Sequence, residues 1–188
     1  MNLNFNIRDD LFWINNFLPT NIYKNMYIEF IKNRKKLNFK KSIVSWPTFK
    51  EEVDDLSESY DQNNYLNLDF YKEYHLLLRH QRFVNFLNYD FKSHLRLYKY
   101  GQHLTWHDDH SDEKTYKRKY AATFYFNKTW RESWGGELMF KSNNESGFIP
   151  IVGNSLVIVK TGMRHKVNSN LKKTHPRLSI QTWIDYSN

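Results

Sequence analysis

Tyr98-Lys99-Tyr100-Gly101-Gln102-His103-Leu104-Thr105-Trp106-His107-Asp108-Asp109 is the stretch on which the reading of this chain turns. It continues an alternating run, His94-Leu95-Arg96-Leu97-Tyr98-Lys99-Tyr100, breaks at Gly101 and ends in a cluster of imidazole and carboxylate groups. Alternation sends successive side chains to opposite faces of a strand, so the run predicts a half-buried strand leading into that cluster. The same texture recurs downstream in Ala121-Ala122-Thr123-Phe124-Tyr125-Phe126, Glu137-Leu138-Met139-Phe140, Ser155-Leu156-Val157-Ile158-Val159 and Leu178-Ser179-Ile180-Gln181-Thr182-Trp183-Ile184. Gly135-Gly136 and Pro150-Ile151-Val152-Gly153-Asn154 punctuate these segments as turns. Short strands with turns at such spacing predict a sandwich or jelly roll over residues 93–186.

Upstream the texture differs. Residues 1–92 read as a mainly helical support region, which makes the expected fold class α+β. Leu18-Pro19-Thr20-Asn21 is a helix entry in which Thr20 can cap, and Ile22, Tyr23, Met26, Tyr27, Phe30 and Ile31 follow near helical spacing. A second helix is expected across about 68–88, with Leu68, Tyr71, Leu76, Leu78, Phe83, Phe86 and Leu87 on its apolar face. Ile43-Val44-Ser45-Trp46 is strand-like. There is no internal repeat, low-complexity stretch or Pro/Gly/Ser-rich linker, so residues 1–188 are expected to form a single domain.

Composition narrows the class. At 188 residues the chain can bury one substantial core, and 18% aromatic content supplies bulky material for it. No apolar run is long enough for a membrane span, and Met1-Asn2-Leu3-Asn4-Phe5-Asn6 does not read as a secretory signal, so a cytoplasmic protein is expected. Cysteine is absent, which excludes disulfides and thiolate metal ligands. The net charge of +8 is densest in Lys32-Asn33-Arg34-Lys35-Lys36-Leu37-Asn38-Phe39-Lys40-Lys41. Such a run is either an electrostatic strip for nucleic acid or the solvated end of a helix, and we favour the helix end.

Four residues carry candidate chemistry: His107, Asp109, His165 and Arg177. Two imidazoles and a carboxylate form the facial donor set of non-haem Fe(II) sites, which leaves coordination positions open. A guanidinium twelve positions after the second histidine can grip the far carboxylate of a dicarboxylic co-substrate. Spacing alone leaves the register open, because residues two apart on a strand share a face and Asp108 with His110 would serve as well as His107 with Asp109.

Residues 93–186 resemble the prolyl 4-hydroxylase-like branch of the Fe(II)/2-oxoglutarate-dependent dioxygenase superfamily. The resemblance runs in order through Tyr98…Gly101, His107-x-Asp109, Phe124-Tyr125-Phe126-Asn127, Gly135-Gly136-Glu137-Leu138, Pro150…Gly153, His165-Lys166-Val167 and Arg177-Leu178-Ser179. It implies a double-stranded β-helix (jelly-roll, cupin-like) core with the N-terminal helices packed outside. It selects His107, Asp109 and His165 as metal ligands and catalytic centre, Arg177 as the anchor of the distal carboxylate of 2-oxoglutarate, and Tyr98 and Tyr125 as further co-substrate contacts. It implies Fe(II), 2-oxoglutarate and O2, and admits ascorbate.

The activity implied is hydroxylation of an unactivated C–H bond, with a protein or peptide side chain, proline first, as substrate. Asp109 sets the chain apart from halogenases of the superfamily, which carry a small residue there. Collagen-type prolyl hydroxylases usually carry lysine at the Arg177 position, which leaves the prolyl substrate open. A free amino acid or small metabolite is the alternative substrate, and a non-catalytic binding module with the same barrel is the alternative of another class. Nucleic acid is disfavoured: demethylases of the superfamily usually carry a second arginine six positions on, where this chain has Trp183.

Overall fold

The computed structural model describes residues 5–8, 10–33, 37, 40–42, 57–61, 69–80, 86–110, 117–142 and 145–187. In chain order these form β1 (Phe5–Arg8), β2 (Leu11–Asn15), α1 (Thr20–Asn33), β3 (Lys40–Ser42), β4 (Ser57–Asp61), α2 (Asp69–Arg79), β5 (Tyr89–Tyr98), β6 (Leu104–His107), β7 (Arg118–Tyr125), β8 (Leu138–Lys141), β9 (Ser146–Ile149), β10 (Ser155–Lys160), β11 (Arg164–Val167) and β12 (Arg177–Tyr186). An eight-stranded sheet runs β1-β2-β10-β7-β12-β5-β4-β3, and a four-stranded sheet runs β6-β11-β8-β9. All pairings between these strands are antiparallel, as a jelly roll requires.

Strand alternation divides the buried side chains into two cores. Leu95 and Leu97 of β5, Ala122 and Phe124 of β7, Leu156 and Ile158 of β10, and Leu178, Ile180 and Ile184 of β12 pack with Met26 and Phe30 of α1 and Tyr74 and Leu78 of α2. That is the outer face of the large sheet, covered by the helices. Their neighbours in sequence, Tyr98, Tyr125, Val157 and Val159, join Leu138 and Phe140 of β8 and Val167 of β11 in a second core between the sheets. The jelly roll with helices outside is therefore the observed fold.

Four local readings change. The N-terminal region adds β1–β4 to the large sheet, so strands as well as helices come from it. The second helix is Asp69–Arg79, shorter than 68–88, and it buries Tyr74 and Leu78, while Leu76 is exposed. Phe86 is buried outside that helix, in edge contact with Tyr89, Phe91 and Tyr120, and Leu87 is exposed. The Pro19 carbonyl accepts the first helical bond of α1, from the Tyr23 N–H at 3.0 Å, so the cap falls one residue before Thr20. Of the basic run, Lys32 and Asn33 end α1 and Lys40 and Lys41 lie in β3. Ile43-Val44-Ser45-Trp46 lies outside the described residues.

Two backbone devices set the site in place. Asn127, just past β7, donates from Nδ2 to the Pro176 carbonyl at 2.9 Å and accepts the Leu178 N–H on Oδ1 at 2.8 Å. It brackets Arg177 on both sides. A Cβ on Gly153 would stand 2.1 Å from the Asn127 carbonyl, so only glycine lets that turn pass.

Candidate metal centre

His107 ends β6 and His165 sits on the adjacent β11, directly opposite in register. Their rings lie 4.1 Å apart between centroids. His107 Nδ1 is 2.9 Å from the Thr105 carbonyl and His165 Nδ1 is 2.8 Å from the Met163 carbonyl. A carbonyl only accepts, so Nδ1 carries a proton in both rings and Nε2 is the nitrogen left to face a metal. Asp109 follows β6 at φ 63°, in the left-handed region that Asp tolerates better than most residues. Its Oδ1 lies 3.7 Å from His107 Nε2 and its Oδ2 lies 3.5 Å from His165 Nε2. Ligand atoms of the three residues fall within 4.8 Å of one another, and all three side chains are buried.

The surroundings keep His107 and Asp109 in the forms a divalent metal needs. Burial, followed by the nearby His165, lowers the His107 pKa to about 3, so the ring is neutral. Burial pushes Asp109 up, but His165, His107, Arg118 and a hydrogen bond from Trp183 outweigh it and leave its pKa below the ordinary value. It is a carboxylate. Asp108 and His110, the other register, face away: Asp108 Oδ1 accepts the His110 N–H at 3.0 Å, and the His110 side chain is 58% exposed.

Across the same cavity stands Arg177, the first residue of β12, opposite Tyr98 of β5. It is 1% exposed, and its guanidinium lies 4.8 Å from the Tyr98 ring centroid and 5.1 Å from that of Tyr125. Nη1 donates to Ser179 Oγ at 3.1 Å. Nε has no hydrogen-bond partner, nor does the buried Tyr125 hydroxyl, and no carboxylate among the described residues pairs with the guanidinium. Burial raises the Tyr125 pKa, which the Arg177 charge only partly offsets, so the phenol keeps its proton as a donor. Gly136, at φ 77°, lies against this arginine, and a Cβ there would be 3.2 Å from Arg177 Cδ.

One cavity thus holds His107, Asp109, His165, Arg177 and Tyr98 among its lining, with Tyr125 behind the guanidinium. Sequence reasoning missed Arg96, Thr123 and Gln181, which line it from the large sheet, and treated Trp183 only as a missing arginine. Thr123 Oγ1 donates to Gln181 Oε1 at 2.7 Å on that wall. Their signal was strand phase: they share the inward parity of Tyr98, Tyr125 and Arg177. Residues 111–116, which follow the donor cluster, lie outside the described residues.

Residues 93–185 match the 2OG-Fe(II) oxygenase superfamily. This match covers the whole donor set and Arg177. The chain belongs to the 2OG-Fe(II) oxygenase superfamily. Fe(II), 2-oxoglutarate and O2 are therefore the cofactor and co-substrates of this 2OG-Fe(II) oxygenase. A search of the curated proteins found no match. Among solved structures the oxygenase is similar to a Pseudomonas putida prolyl-4-hydroxylase at 18% identity and TM-score 0.74, covering 95% of this chain and 94% of that one. It is also similar to a Trichoplax adhaerens prolyl hydroxylase in complex with a hypoxia inducible factor peptide fragment, at 15% identity and TM-score 0.77, covering 95% and 84%. The α-ketoglutarate-dependent epimerase SnoN from nogalamycin biosynthesis shares the fold at 10% identity and TM-score 0.69, covering 96% and 80%. At these identities the likeness is one of fold. No helix among the described residues is long and apolar enough to cross a membrane.

Proposed function

We propose that this oxygenase hydroxylates a C–H bond of a protein or peptide side chain, proline first, with Fe(II) on His107, Asp109 and His165. 2-Oxoglutarate is held at its far carboxylate by Arg177 and Tyr125, beside Tyr98. One observation carries the reading: a buried two-imidazole, one-carboxylate set shares its cavity with a buried guanidinium whose Nε has no partner. A buried arginine without an anion carries a large desolvation cost, and a carboxylate meeting Nε, Nη and a phenolic O–H removes it. The residues present therefore fit both the metal and the dicarboxylate.

When bound, the metal and 2-oxoglutarate supply oxygen activation and the oxidising equivalents. The chain's own work is positional. The two Nδ1–H bonds hold both imidazoles with Nε2 turned inward. Ser179 holds Arg177 Nη1, and the rings of Tyr98 and Tyr125 shield the guanidinium from water. Exclusion of water strengthens the charge contact with the co-substrate.

A peptide substrate is supported by the shared fold with a hydroxylase that was solved with a peptide bound. The fold also serves SnoN, so a small metabolite is the competing substrate. A turnover screen separates them. Succinate formation and gain of one oxygen on proline-containing peptides is the expected result. Turnover confined to free amino acids or small metabolites would overturn the peptide assignment.

A further inference from the structure

Asp109 is the one ligand of the three that no strand holds. It lies past the end of β6, and each of its oxygens faces a different histidine. A carboxylate on so short a side chain can meet a metal through one oxygen or both. Two-oxygen binding would fill a coordination position that an oxygenase needs open. Whatever engages the second oxygen therefore bears on the chemistry.

Two groups reach this carboxylate from the large sheet. Trp183 of β12 lines the same cavity as Asp109, where its indole N–H, the only donor the ring has, helps hold the Asp109 pKa down. Arg118, at the start of β7, brings Nη1 to 3.9 Å from Oδ1. Both are fixed in turn. The Arg118 guanidinium lies 4.6 Å from the Trp183 ring centroid, and the His94 ring packs edge-on against that indole at 4.6 Å. Arg118 Nε lies 3.7 Å from Asp185 Oδ1, and Asp185 Oδ2 accepts Lys92 Nζ at 2.9 Å. Asp185 is opposite Arg118 in the β12–β7 register, where that register shifts. Lys92, Asp185, Arg118, Trp183 and Asp109 thus form a run of charge and ring contacts from the surface to the donor set.

We propose that Trp183 and Arg118 are positioning residues for Asp109, engaging its carboxylate so that it offers the metal a single oxygen, with Asp185 and Lys92 anchoring Arg118 from outside. The proposal rests on the assignment of His107, Asp109 and His165 as the metal site. The physics is a competition for lone pairs: hydrogen bonds and a positive charge at a carboxylate oxygen make it a poorer second ligand. Trp183 also brings its N–H on a rigid ring, which Phe would imitate in shape and stacking but not in donation.

The test is Co(II) loading of the apo protein followed by visible ligand-field absorption, which reports coordination number without turnover. Trp183→Phe and Arg118→Met are compared with wild type, and Asp109→Ala serves as the reference for loss of the ligand. Both positioning variants are expected to change the band positions and intensities, and to alter Co(II) affinity by about 10- to 100-fold, the range for outer partners of metal ligands. Arg118→Met keeps the test valid if Trp183→Phe does not fold. A wild-type spectrum in the folded variants overturns the proposal, whatever the affinity. If Asp109→Ala also gives the wild-type spectrum, the metal-site assignment falls with it. If only Asp109→Ala changes the spectrum, the positioning role alone is lost.

Discussion

His107 and His165 face one another in register across β6 and β11, and each gives its Nδ1–H to the carbonyl two residues earlier. The repeated device means that neither ring depends on the metal for its tautomer. The site is prepared before anything binds, and Asp109 closes it from a left-handed bend.

His107→Ala, Asp109→Ala and His165→Ala are each expected to abolish tight Fe(II) binding in an anaerobic titration, because two remaining ligands leave an ill-defined site. Asp108→Ala and His110→Ala should retain it, since that pair is engaged with itself at the surface. Equal damage from the two controls would show the register to be wrong.

Arg177→Leu should weaken 2-oxoglutarate binding by about 2–5 kcal/mol, the scale for truncating one side of a buried charge pair. Arg177→Lys keeps the charge but loses the fork, so a smaller loss is expected. Tyr125→Phe removes one donor and should cost about 0.5–1.5 kcal/mol. Calorimetry with Mn(II) as an inert metal measures all three. Metal affinity without co-substrate should stay at the wild-type value, and unchanged co-substrate affinity in Arg177→Leu would remove the residue from that role.

Gly136→Ala tests the same pocket from the backbone. The residue sits at φ 77°, and its new Cβ would press on Arg177 Cδ at 3.2 Å and Ile151 Cδ1 at 3.1 Å. A cost of about 1–2 kcal/mol in stability is expected from the left-handed conformation alone. Beyond that, 2-oxoglutarate affinity should fall while Mn(II) affinity holds. A loss of metal affinity in place of co-substrate affinity would place the strain elsewhere.

Acid should destabilise the protein through His75 on α2. Burial, then the neighbouring Arg79, lowers its pKa from 6.5 to about 4 in the fold, where its Nε2 meets Ser93 Oγ at 2.6 Å. Between those two values the unfolded chain takes up a proton that the folded chain refuses. Stability from this group is therefore complete above about pH 6.5 and declines as the pH falls toward 4. Thermal melts across that window should show His75→Gln declining less steeply than wild type. Parallel slopes would assign the acid loss to other groups.

How much of this could be read from the chain depended on what each residue had to do. The jelly-roll strands were legible because Leu95, Phe124, Leu156 and Ile180 mark a buried parity that sequence shows directly. The donor set was legible through the family resemblance, which selected His107 and Asp109 where spacing left Asp108 and His110 equally open. Its geometry was not. Residues two apart on a strand share a face, yet Asp109 lies beyond the strand and is brought round by a positive φ. β3 and β4, Lys40–Ser42 and Ser57–Asp61, are short and polar, so they show no alternation to read. β11, Arg164-His165-Lys166-Val167, does alternate, but one of its two inward residues is the polar His165, to which hydropathy is blind. Trp183 was visible only as a departure from another family's pattern, because its partner Asp109 is set by the packing of two sheets and not by spacing.

The donor set and the guanidinium belong to different layers. Both histidines stand on the four-stranded sheet and Arg177 on the eight-stranded one. Under the proposed function, a diacid held at one end by the metal and at the other by Arg177 would span the gap between those layers, which face-packed sheets hold at about 10 Å. Leu138, Phe140, Val157 and Val159 fill that gap, and none of them is a ligand. The thickness of that apolar core would then act as a ruler for carbon-chain length, set by residues that grip neither end of the diacid.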